Sequence, residues 1–93
     1  MKETKHNVSA SVGRKIKKVR KSAGISGNDF AKKLGLTQQQ ISRYECGQTS
    51  MTIDTVFMVA HVLHVSVDEL LSDYLTSEYS DITPFMTHHN TGR

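Results

Sequence analysis

Ninety-three residues, 37% hydrophobic and 23% charged with no Trp and one Pro, hold one small domain that leans helical and buries about 60–65% of the surface its unfolded chain exposes. Residues 1–33 set ten Lys/Arg against Glu3 and Asp29, a net of +8. Residues 34–93 set Arg43 and Arg93 against seven acids, a net of −5, so the overall +3 conceals a basic half that points to a polyanion or to a plain solvated face.

One cysteine, Cys46, excludes an internal disulfide. No run approaches the ~18 apolar residues of a membrane span, and the opening MKETKHNVSASVGRK lacks the apolar stretch of a signal peptide. A cytoplasmic protein without a membrane partner is expected.

The first helical pattern is Val12, Ile16, Val19 and Ala23, one apolar stripe set among Arg14, Lys15, Lys17, Lys18, Arg20 and Lys21, with Ser9 placed to cap its start and Gly24 to end it. A second helix follows "ISGND", capped by Ser26 or Asn28, carrying Phe30, Ala31 and Leu34 and stopped by Gly35. Thr37 can cap a third, "QQQISRYE", which Gly47 ends. Thr52 caps a fourth, whose face Ile53, Val56, Phe57, Ala60 and Leu63 is expected to be core, with Met58 and Val62 opposite. Ser66 caps a fifth from Val67 to about Leu71, with Asp68 and Glu69 in its first turn.

From Ser72 onward the pattern thins. Residues 73–93 read as a C-terminal tail, partly disordered or dimer-forming, and residues 1–8 as a flexible basic arm, leaving 9–72 as the domain.

The second and third helices are joined too tightly for anything but a turn. Small Ala31 lets the later helix cross closely, and Gly35 can adopt a positive φ at the bend. At about 100° per residue, with Ile41 inward, Tyr44 and Glu45 share its side, while Gln39, Ser42 and Arg43 point outward with Gln38 and Gln40 flanking. A merely solvated face more often carries Lys and Glu. Gln pairs bidentately with adenine, Arg with guanine, and Ser bonds either, so the glutamine run reads as the start of a recognition helix.

Residues 12–71 resemble the Xre/Cro/phage-repressor type of helix-turn-helix regulators, on "VGRKIKKVRKSAGIS", "FAKKLGLTQQQISRYECGQTS" and "TIDTVFMVAHVLHVSVDELL" in that order and spacing. "TQQQISRY" is also similar to the regulators encoded with bacterial fimbrial operons. The resemblance implies an all-α, five-helix, lambda-repressor-like domain. It implies a sequence-specific transcriptional regulator of repressor type, binding double-stranded DNA as a homodimer. Gln38, Gln39, Ser42 and Arg43 would read bases, and Asn28, Lys32, Lys33, Thr37, Gln40, Gln48 and Thr49 would support them on the backbone. Gly27 stands where the family has a bracing glutamine, and His64 where it commonly has a glycine. Arg20 and Glu45 would form a buried structural pair. Met58, Val62 and Tyr74 form the candidate dimer face.

No catalytic constellation appears, so a non-enzyme is expected, with no cofactor, no metal site and no small-molecule ligand. His88 and His89 lack further ligands at metal spacing, and Cys46 reads as an unreactive thiol. The alternative is an antitoxin or a protein-interaction adaptor built on the same helices.

Overall fold

The computed structural model describes the backbone of residues 2–79 and the side chains of residues 8–76. Five helices follow one another: α1 (Lys2–Ser22), α2 (Gly27–Leu34), α3 (Gln38–Glu45), α4 (Ile53–Leu63) and α5 (Val67–Tyr79). Val12 and Ile16 of α1, Phe30, Ala31 and Leu34 of α2, Ile41 of α3, Val59, Ala60 and Leu63 of α4 and Leu70 of α5 form one core.

Local chemistry sets most boundaries. Ser26 Oγ accepts the Asp29 amide at 3.0 Å, resolving the choice between Ser26 and Asn28. Thr52 and Ser66 accept the amides of Thr55 and Glu69 in the same way. Gly35 closes α2 in the left-handed region at φ 70°, its amide turned back to Ala31 and Lys32 carbonyls. His64 closes α4 at φ 60°, a conformation in which a Cβ costs free energy.

Three sequence expectations need correction. Helix α1 starts at Lys2, so the segment assigned to an arm continues the helix and Ser9 is not its cap. Ser9 Oγ instead lies 3.2 Å from Ser50 Oγ, tying α1 to the loop after α3. Helix α5 runs to Tyr79, eight residues past the expected end and across the expected boundary at 72/73. Its continuation lies along α1, where Lys15 Nζ sits 3.3 Å from Glu69 Oε2 and 3.6 Å from Asp73 Oδ1. The rest of the expected tail, with Ile82, Phe85, Met86 and the histidine pair, lies outside the described residues.

The third correction concerns the face of α4. Val59 is 1% exposed at the centre of its contact with the core, flanked by Ala60 and Leu63, while Ile53 is 68% and Phe57 59% exposed. The helix is therefore turned by about 70° from the expected orientation. Val62, expected outside, is half-buried and packs on the core; Met58 is 49% exposed.

Candidate nucleic-acid interface

Helix α3 is held outward by contacts on its inner side alone. Helix α3 packs on α1 and α2; Ile41 is buried in the common core, and Glu45 is buried at the C-terminal turn. Arg20 Nε donates to Glu45 Oε2 at 2.7 Å and Nη2 to Oε1 at 3.0 Å, a bidentate pair, while Nη1 donates to the Ile25 carbonyl at 2.8 Å. One guanidinium thus joins α1, the α1–α2 loop and α3. Its hydrogen bonds to Glu45 raise the Arg20 pKa above its ordinary value, against the burial that alone would lower it.

Close backbone packing fixes the same end of α3. A Cβ on Gly13 would overlap the Tyr44 carbonyl oxygen and lie 2.9 Å from that of Glu45. One on Gly47, itself at φ 77°, would lie 2.7 Å from Ala10 Cα. Helix α1 therefore seats the C-terminal turn of α3 through two glycines and an alanine, at a distance no larger residue permits.

At the other end, Thr37 Oγ1 accepts the Gln40 amide at 3.1 Å and Gln40 Oε1 accepts the Thr37 amide at 3.2 Å, a reciprocal capping box. This commits the Gln40 carbonyl oxygen to the helix start and leaves only its NH2 for a partner. Threonine followed three residues later by glutamine is a sequence-level signature of this box, so that division of labour was readable from residues 37–40.

The outward face then carries Gln38, Gln39, Ser42 and Arg43, all exposed. Gln38 lies over α2, its Nε2 3.5 Å from where a Gly27 Cβ would stand. Gln40, Arg43, Tyr44 and Thr49 line a shallow recess of about 70 Å³ on the flank toward the α3–α4 loop, and the Gln48 amide closes that loop on the Arg43 carbonyl at 2.9 Å. Tyr44 in this recess was not among the expected supporting residues. Asn28, Lys32 and Lys33 are exposed on α2, as are Gln48 and Thr49 in the loop. Cys46 ends α3 as an exposed free thiol.

The arrangement presents neutral hydrogen-bonding groups and one fork-shaped cation on a short helix, with cations behind it, which is chemistry for a polar edge beside a polyanionic backbone. Among the described residues, no three of His, Cys, Asp and Glu converge to hold a metal, and no single helix is long and apolar enough to cross a membrane.

Residues 16–70 match the helix-turn-helix family. The chain is 30% identical over 70 residues to an uncharacterized transcriptional regulator in the ATPase CF(0) region of Rhodospirillum rubrum, covering 75% of this chain and 65% of that one. It is 37% identical over 59 residues to the prophage-derived uncharacterized HTH-type transcriptional regulator YonR of Bacillus subtilis, covering 63% and 55%. It is 26% identical over 62 residues to the antitoxin PezA of Streptococcus pneumoniae, covering 67% and 39%. Among solved structures, the clp gene regulator ClgR of C. glutamicum shares the fold at a TM-score of 0.71 and 20% identity, over 76% of this chain and 92% of that one. This chain thus spans between 39% and 65% of the length of the three curated relatives. With more than half of its residues matched in one block, and its second and third helices set across a Gly35 turn, the chain belongs to the helix-turn-helix family.

Proposed function

We propose that the protein is a sequence-specific, DNA-binding transcriptional regulator of repressor type, acting in the cytoplasm and without enzymatic activity. The observation that carries this is the composition of the exposed face of α3, Gln38, Gln39, Ser42 and Arg43, on a helix anchored only from behind. Inserted in a major groove, Gln39 and Arg43 reach base edges, and Gln38 and Ser42 reach those beside them. Thr37, Gln40, Gln48 and Thr49 support them, with Asn28, Lys32 and Lys33 of α2 on the backbone.

Selection of bound duplexes from a random pool supplies the site, and alanine variants then test the assignment. Gln39→Ala or Arg43→Ala costs about 1–3 kcal/mol on the selected site and relaxes preference at one position. Lys32→Ala and Lys33→Ala weaken selected and random DNA alike. Equal losses on both DNAs for Gln39→Ala would refute base reading by that residue.

A single reading helix spans only a few base pairs, so the proposal includes a two-fold dimer on paired half-sites about one helical turn apart. The exposed apolar side chains of Ile53, Phe57 and Met58 support a pairing surface centred on them in place of the expected Met58, Val62 and Tyr74.

The similarity to an antitoxin supports a second reading, in which the same helices also hold a protein partner. Stoichiometric co-elution of a second protein from native cells would favour it, and elution alone with DNA-binding activity would not.

A further inference from the structure

The cations of α1 fall into two groups that the fold separates. Lys15 is mostly buried and its charge is met by Glu69 and Asp73 of α5, and Arg20 is committed to Glu45. Arg14, Lys17, Lys18 and Lys21 are exposed, and among the described residues no carboxylate lies within ion-pair distance of them.

The packing of α1 says where these four point. Ala10, Gly13 and Arg20 touch Gly47, Tyr44 and Glu45, which defines the side of α1 facing the C-terminal turn of α3. At about 100° per residue from Gly13, Arg20 falls near −20° and Ala10 near 60°. Lys17 falls near 40°, Lys21 near 80° and Arg14 near 100°, directly beside that contact. The core residues Val12, Ile16 and Val19 lie between about −60° and −120°, and Lys15 near −160° toward α5. Lys18, near 140°, lies ~40° beyond Arg14 and is the farthest of the four from the α3 contact.

On α3, Glu45 meets α1 on the same flank as Ser42 and Cys46, whereas the recess of Gln40, Arg43, Tyr44 and Thr49 occupies the other flank. Arg14, Lys17 and Lys21 therefore continue the exposed α3 face past its C-terminal end, on the Ser42 side.

We propose that Arg14, Lys17 and Lys21 form a second DNA contact, a phosphate-binding ridge that grips the backbone flanking the base-read segment. The inference rests on the DNA reading proposed above. A solvated helix face ordinarily interleaves acids at i±3 and i±4, since like charges at those spacings are mutually destabilising by about 0.2–0.5 kcal/mol per pair. The ridge holds two such pairs (14/17 and 17/21), and residues 10–25 hold no acid to relieve them. A polyanion relieves both. From residue 14 to residue 21 the ridge extends about 10 Å, which spans roughly two to three successive phosphates at ~3.4 Å of axis per strand. Its contacts carry no base information, so it raises affinity for every sequence and lengthens the protected segment on one side.

The test uses the full chain, the selected site and a random duplex of equal length, with binding measured across a salt series and phosphate-ethylation interference on the selected site. For the triple variant Arg14→Gln/Lys17→Gln/Lys21→Gln, the slope of log K against log salt becomes shallower by about 2–3 on both DNAs. The ratio of selected to random affinity is unchanged, and interference disappears at the flanking phosphates alone. Lys18→Gln leaves the slope within error, and circular dichroism melts verify that every variant is folded. An unchanged slope in the folded triple variant overturns the ridge, as does a loss confined to the selected site. A loss for Lys18→Gln of about a third of the triple variant's, the same per charge, also overturns it, by reducing the effect to a diffuse field. A wild type with no salt dependence on either duplex would instead remove the DNA reading itself.

Discussion

Replacing Gly13 with alanine should destabilise the domain, although glycine to alanine within a helix ordinarily does the reverse. In an exposed helix interior the change stabilises by about 1 kcal/mol, because the unfolded chain loses freedom and the helix gains a better former. Here the added methyl would overlap the Tyr44 carbonyl oxygen and come within 2.9 Å of the Glu45 oxygen. Both obstacles are backbone, so no rotamer change relieves them, and α1 and α3 must part by about 1 Å to restore ordinary contact. Overpacking of this kind costs about 1–3 kcal/mol, occasionally more. The same displacement stretches the 2.7 Å Arg20–Glu45 hydrogen bond and opens the Ala10–Gly47 contact. The weakened hydrogen bond adds about 1 kcal/mol and the propensity gain removes about as much, so a net loss of about 1–3 kcal/mol remains, which lowers Tm by roughly 5–20 °C in a domain this size. Thermal melts followed at 222 nm measure it, with DNA affinity measured below the transition, where a displaced α3 also binds its site more weakly. An unchanged or raised Tm would show that α1 and α3 do not approach as closely as described.

Arg20→Met should cost about 3–5 kcal/mol, because Glu45 is then left buried without its partner. The double variant Arg20→Met/Glu45→Leu should recover most of that loss in urea titrations. The sign of the pH effect follows from the raised guanidinium pKa: the pair's contribution is present below the ordinary arginine value and is lost only as pH rises through the raised one. Stability measured at neutral pH should therefore show no step from Arg20. His64→Gly should stabilise by about 0.5–1 kcal/mol, a gain of a few degrees in Tm, since glycine takes φ 60° without the Cβ penalty. Phe57→Lys/Met58→Glu should convert a sedimenting dimer to monomer with an unchanged far-UV spectrum. A wild type that stays monomeric at high micromolar concentration would end the dimer proposal.

The α2–α3 unit was legible because its determinants are local. Ser26, Gly35 and Thr37 each act within four residues of themselves, and the alternation of Ile41 with outward glutamines needs no distant partner. Helix α4 was misread because eight of its eleven residues are apolar, so periodicity alone cannot choose among faces. What chooses is the position of α2 and α5, which the sequence does not display. The extra length of α5 was hidden for a related reason. Tyr74 and Leu75 form no lasting period on their own, and Glu69 and Asp73 acquire their purpose only from Lys15, more than fifty residues away. The early start of α1 was masked by Ser9, a credible cap whose hydroxyl is used across the loop instead. Within the site, the outward residues of α3 were readable from the wheel. The placement of the α1 cations was not, because it depends on how Gly13 meets the backbone of α3.

The meeting of the first helix with the last governs when the chain becomes competent during synthesis. When Leu63 has emerged from the ribosome, the α2–α3 turn and its caps are all present. Yet Leu70, which is 0% exposed in the finished core, and both partners of Lys15 are still missing. Until they arrive, Val12 and Ile16 have one side open to water, and the helix that seats α3 through Gly13 and Arg20 is only half buttressed. A growing chain thus carries the exposed residues of α3 well before it can hold them rigidly, so the proposed DNA recognition is withheld until α5 closes over α1.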